Sequence, residues 1–103
     1  MSFETQLFIP LTDNQAQRFI PQHHAAFEAF VVERFGGYTR YAGDVEGVWQ
    51  EAGITYHDSN RMYGIKMDSI LQGGLIGEVV EFAKAHYRQK AILIRYLGQM
   101  EIL

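Results

Sequence analysis

Cysteine is absent from these 103 residues, and that removes disulfide stapling, thiolate zinc sites and a cysteine nucleophile together. No apolar run approaches the length of a membrane span, so no membrane partner is expected. Met1-Ser2-Phe3-Glu4-Thr5 has neither a basic segment nor an apolar stretch behind it; no signal peptide is expected, and the cytoplasm is the expected location. Clustered positive charge is missing too. The nine Lys and Arg are scattered, and the net charge is −3, which argues against a generic nucleic-acid binder because phosphate neutralisation needs grouped cations. Gly-x-Ser-x-Gly, the Lys and Ser/Thr of a phosphate loop, and His-x3-His spacing do not occur. No cofactor is implied.

What is present is one domain's worth of ordinary globular sequence, residues 1–103, with many rings. Seven Phe, six Tyr and one Trp supply material for a core and for a contact surface alike.

Phe3, Thr5, Leu7, Ile9 and Leu11 alternate with Glu4, Gln6, Phe8 and Pro10, which predicts a first strand ending near Pro10. Thr12-Asp13-Asn14 has turn chemistry, and Gln15 to Ile20 reads as a short helical turn broken before Pro21. A helix is predicted from Pro21 to Phe35, with Ala26, Phe27, Phe30, Val31 and Phe35 on its apolar face and Glu28 and Glu33 turned away. Gly36-Gly37 caps it. The chain is then organised around Phe35–Trp49, a glycine-punctuated, ring-rich stretch; beyond its Gly36-Gly37 cap, Tyr38 to Glu51 predicts a long bent strand. A hairpin turn near Glu51-Ala52-Gly53 leads into Ile54–His57, an interruption at Asp58-Ser59-Asn60 (a bulge, a kink or a loop), and a resumption over Arg61–Met67.

Ser69 and Gln72 have capping-box spacing ahead of a second helix, on which Leu75, Val79, Phe82, Ala83 and His86 share a face. Ala91-Ile92-Leu93-Ile94, apolar on both faces, predicts a central buried strand. A turn at Leu97-Gly98-Gln99 and a short strand over Met100–Leu103 complete the chain. Strand, helix, strand, strand, helix, strand is the split βαβ order of a ferredoxin-like α+β fold, an antiparallel sheet with both helices on one face.

Glu33-Arg34-Phe35-Gly36-Gly37-Tyr38-Thr39, Gly47-Val48-Trp49, Ser59-Asn60 and Gln89-Lys90-Ala91-Ile92 together resemble a family of small bacterial proteins known only as a domain of unknown function. That family shares an Arg-Phe, a Gly-x-Thr, a Gly-x-Trp and a late Gln before the last core strand; this chain departs from it in lacking an N-terminal export segment. The resemblance implies the same order of elements and brings no mechanism with it.

Helices on one side leave the other sheet face to meet something: a second copy packed sheet to sheet, bulkier loops, or a ligand cavity between two sheets. His57, Asp58 and Arg61, with Asn60, form the densest polar cluster and are the candidate catalytic groups, the imidazole as base and Arg61 as anion holder. A hydrated kink whose side chains bond their own backbone is the plainer account. Tyr38, Arg40, Trp49, Tyr56 and Tyr63 are candidate ligand-binding residues, able to stack a ring, although alternation buries about half of such residues whatever the function. His23 and His24 diverge on a helix and His86 lies on an apolar helical face, so no metal site is expected. Gly73-Gly74-Leu75-Ile76-Gly77 resembles a phosphate loop but reads equally as a flexible connection.

Two functions follow as expectations. One is a homodimeric or higher homo-oligomeric module binding a small molecule or partner through its open sheet face. The other is a cofactor-independent small-molecule enzyme with its pocket at the dimer interface.

Overall fold

The first strand alternates as its sequence demands, and its two faces meet different surroundings. The computed structural model describes residues 2–100. Strand β1 (Ser2–Pro10) buries Thr5, Leu7 and Ile9 on one side and leaves Glu4, Gln6 and Phe8 half-covered on the other. It lies between β4 (Ile54–Met67) and β5 (Leu93–Met100), antiparallel to both. Strand β4 also pairs with the short β2 (Thr39–Arg40) and with β3 (Val45–Glu51). The sheet order is β2-β4-β1-β5 with β3 on β4, so β2 and β3 are two pieces of one edge strand. Helices α1 (Pro21–Phe35) and α2 (Gly73–His86) cover one face. This is the ferredoxin-like α+β fold that the order of elements predicts.

Both helices start and stop where local chemistry allows. α1 begins without a side-chain cap; Pro21, whose missing N–H costs nothing in a first turn, fixes its entry. It ends at Gly36, whose φ of 79° lets its N–H reach the Val32 carbonyl. Ahead of α2, Ser69 and Gln72 form the predicted capping box around a 3₁₀ turn, Ile70–Gln72. No helix among the described residues is long and apolar enough to cross a membrane.

The core forms between the helices and the odd-numbered face of β1 and β4: Leu7, Ile9, Tyr63, Ile65 and Met67 against Phe27, Val31, Ile76, Val79, Ala83 and Tyr87. The stripe that α1 buries is His24, Phe27 and Val31, rotated from the predicted one so that Ala26 is exposed. Glu28, predicted to turn away, lies on the same side as Phe27 and reaches Tyr63 on the sheet. On α2 the buried stripe is Ile76, Val79 and Ala83.

Five further expectations are corrected. Gln15–Ile20 is an irregular loop and not a helical turn: Asp13 accepts from the Gln15 and Gln17 amides through its carboxylate, and Ala16 adopts φ 62°. Tyr38–Glu51 is broken at residues 41–44, so the long bent strand is two strands. Asp58-Ser59-Asn60 is no interruption: β4 runs through it with unbroken register to β3, because ladder pairing outweighs weak local preference. Among the described residues β5 lies at the sheet edge, paired with β1 alone, so it is not the central buried strand; Leu93 is 66% exposed. The residues predicted as a turn at 97–99 belong to it, and the irregularity is a bulge where Tyr96 and Leu97 oppose Thr5 alone. Residues 101–103 lie outside those described.

Candidate functional site

The register of the ladders defines the face opposite the helices. Met62, Phe8 and Leu93 stand side by side across β4, β1 and β5. Beside this apolar row Gly64 leaves room for a polar clasp: the Tyr41 hydroxyl donates to Glu4 Oε1 at 2.7 Å and Gln6 Nε2 donates to the same oxygen at 2.8 Å. The hydrogen bond to Glu4, with burial second, holds the Tyr41 phenol above its ordinary pKa, so it remains a donor. The Gln6 amide oxygen is shielded and has no partner among the described residues.

The same face continues past the end of β1 onto an arm made by β3 and the first half of β4. Its turn is Ala52-Gly53, with φ 52° and 78°, the two left-handed positions of a two-residue hairpin. Trp49 and Tyr56 are opposite one another in the ladder, their rings stacked at 4.3 Å and 15°. Trp49 Nε1 donates to Asp58 Oδ2 at 2.7 Å, which fixes the indole. Both rings remain well exposed, at 45% and 38%. On the reverse side of the arm, His57 Nδ1 lies 3.2 Å from Glu46 Oε1, and Val48 is exposed. Nothing else in the described chain packs over either side near the tip.

The remaining candidates gather on the helix side around Glu28. Tyr63 donates to Glu28 Oε2 at 2.6 Å, and Arg40 and Arg61 each place a guanidinium nitrogen 3.7 Å from that oxygen. The Tyr38 ring packs edge-on to Tyr63 at 5.5 Å. Burial and the Glu28 carboxylate both raise the Tyr63 phenol far above its usual range, and to a lesser degree that of Tyr38. Burial opposes the charge on Arg61, but the Tyr63 hydroxyl and Glu28 outweigh it and keep the guanidinium protonated. Deeper in, His24 Nδ1 lies 2.8 Å from the Tyr87 hydroxyl, and burial lowers the imidazole to about 4. With that phenol pushed up by burial, Tyr87 is the donor and neutral His24 the acceptor.

The structure therefore divides the predicted residues. Trp49, Tyr56 and Asp58 share the open face of the arm, His57 is on its reverse, and Tyr38, Arg40, Arg61 and Tyr63 surround Glu28. His57, Asp58 and Arg61 do not converge: alternation separates the first two, and Arg61 is engaged below the sheet. Sequence reasoning missed Glu28, His24 and the Glu4–Gln6–Tyr41 clasp. The signal for Glu28 was its place one residue after Phe27, at i+4 from His24 on the stripe that α1 buries. Among the described residues no group of three or more His, Asp or Glu side chains stands close enough to hold a metal ion.

No family model matches the chain, and no curated protein matches it. These comparisons give no support to the family resemblance read from the short motifs. Among solved structures, the divalent cation tolerance protein (Cut A1) from Thermus thermophilus is similar over 98% of this chain and 88% of that one, with a TM-score of 0.61 and 10% identity. At that identity the likeness shows a shared fold: a small α+β chain with an antiparallel sheet.

Proposed function

We propose that this protein is a homo-oligomeric binding module that associates through its open sheet face and the arm that extends it. The observation that carries the reading is the Trp49–Tyr56 pair. Two large rings are held in a fixed stack by Asp58, on an arm that the other described residues leave uncovered, in line with the apolar row of Met62, Phe8 and Leu93. Holding exposed rings in one geometry costs side-chain entropy, and burial against a partner returns more than that. Rings of this kind are the groups enriched in association hot spots. The shielded Gln6 oxygen, unpaired among the described residues, is a further group that a partner's donor would satisfy. In this reading Trp49, Tyr56 and Asp58 belong to the association face. Tyr38, Arg40, Arg61 and Tyr63 orient the base of the arm through Glu28, and any small ligand enclosed between two sheets meets the Glu4–Gln6–Tyr41 clasp.

Trp49 is the only tryptophan, so its fluorescence reports the arm directly. Sedimentation at micromolar concentration is expected to give a multiple of the single-chain mass, with Trp49 emission shifting to the red on dilution as the indole meets water. Tyr56→Ser with Leu93→Ser is expected to yield a folded monomer, since neither residue is in the core. A wild-type monomer at micromolar concentration, with emission insensitive to dilution, would overturn the reading.

A further inference from the structure

The charges of this chain are divided between opposite margins of its sheet. Residues 41–60, which contain β3 and the first half of β4, carry Asp44, Glu46, Glu51 and Asp58 and no Lys or Arg. Residues 82–100, which contain β5, carry Lys84, Arg88, Lys90 and Arg95 and no Asp or Glu. β3 lies outside β4, and β5 lies outside β1, so β4 and β1 stand between the two stretches. All four acids of the arm are exposed, and so are Arg88, Lys90 and Arg95. A chain of net charge −3 therefore presents one negative margin and one positive margin.

Hydrogen-bonding capacity is left over on the same two margins. The ladder between β1 and β4 runs from Phe3–Met67 to Pro10–Asn60, with the Leu11 N–H on the Ser59 carbonyl at 3.1 Å just beyond it. Among the described residues Ile54–Asp58 pair with β3 alone, so the tip of the arm is a two-stranded ribbon. Two strands by themselves are marginal in water and gain stability from a third strand or a packed face. β3 and β5 are each paired on one side among the described residues, which leaves each an outer row of N–H and C=O groups. The side chains on the open face agree with the charges. There the arm carries Trp49 and Tyr56 with Glu51 and Asp58, while β5 carries Leu93 and Arg95, opposite Phe8 and Gln6. Rings beside acids on one margin match an apolar group beside a base on the other.

We propose that the arm of one copy seats against the β5 margin of the next, acidic β3 edge along basic β5 edge, with Trp49 and Tyr56 reaching Leu93. This inference rests on the homo-oligomeric reading above and deepens it by naming what the arm meets. The occupant is a second copy because the chain itself carries the complementary surface, and the width of its sheet keeps its own arm away from it. Opposite charges fix the pairing and disfavour arm against arm, where acids would face acids. Each copy offers one arm and one β5 margin, so the contact joins unlike surfaces and repeats until the assembly closes.

Charge reversal in the full chain tests the pairing, with the association constant read by sedimentation equilibrium and the fold checked by circular dichroism. Glu46→Lys with Glu51→Lys makes the arm basic, and Lys90→Glu with Arg95→Glu makes the β5 margin acidic; all four positions are exposed. Each pair of substitutions is expected to weaken association at least about tenfold, because like charges then face each other. The chain carrying all four is expected to recover to within about threefold of wild type, since the attraction returns with its signs exchanged. Such recovery excludes damage to the fold as the cause of the loss. The proposal is overturned if either reversed pair associates like wild type, or if the fourfold variant associates no better than the pairs. A monomeric wild type sinks the oligomeric reading and this inference together, whereas a wild-type oligomer indifferent to the reversals sinks this inference alone.

Discussion

At the scale of single residues, the side chain with the clearest thermodynamic consequence is His24. It is 3% exposed, accepts from Tyr87, and has its pKa lowered by burial from 6.5 to about 4. The folded state thus favours the neutral ring, and the unfolded chain takes up the proton first. His24's contribution is complete above about pH 6.5 and is lost as the pH falls towards 4, where it amounts to about 3 kcal/mol. Urea unfolding across that window should show the loss, and His24→Asn, which keeps an acceptor for Tyr87 without a titrating ring, should flatten it. An unchanged slope in the variant would assign the acid sensitivity elsewhere. Adjacent His23 and His24 were legible in the sequence as diverging residues. Which of them is buried was not, because that depends on where α1 rolls against the sheet. The same roll brings Glu28 inward: a stripe centred on Phe27 and Val31 carries it towards Tyr63, where Arg40 and Arg61 offset the charge.

At the scale of elements, turns and caps follow local rules and are separable by them. Gly36 and Ala52 are both left-handed, and a Cβ added at Gly36 would touch nothing within 4 Å. Gly36→Ala therefore costs only its backbone term, about 1 kcal/mol. Ala52→Asn replaces a poor residue for this turn with a good one and should gain about 0.5 kcal/mol. Opposite signs in chemical denaturation are the expected outcome; if both destabilise, the turn is held by something other than its own geometry. These positions were readable because glycine after a periodic helix, and Ala-Gly between two strand-like runs, carry their meaning locally. Asp58-Ser59-Asn60 misled for the converse reason. Three residues with poor strand preference look like a break, yet β3 supplies a pairing partner for each of them, and the Asp58 side chain is bound to Trp49.

At the scale of the whole molecule, the apolar side chains that the fold leaves outside its core matter most. Leu93, Trp49, Tyr56 and Val48 are exposed and, apart from Val48, lie on the face away from the helices. If association buries them, folding and assembly are linked, and Tm should rise with protein concentration. Calorimetry over a wide range of protein concentration checks this: an upward drift is expected for wild type and none for the Tyr56→Ser, Leu93→Ser protein. A wild-type Tm independent of concentration would separate stability from assembly.

By itself the sequence determined the α+β class, the ferredoxin-like order of elements, both helices with the glycine cap of the first and the capping box ahead of the second, and the hairpin turn, because each is set by periodicity or backbone conformation within a few residues. Only the tertiary structure decided that β5 is an edge, that Asp58–Asn60 stays in the ladder, and that Arg61 joins Glu28 while Asp58 joins Trp49. It also brought His23 against His86, 63 residues further along the chain. Those facts depend on pairing partners and helix rotation between distant segments, where the free energy of packing the whole chain outweighs any local preference.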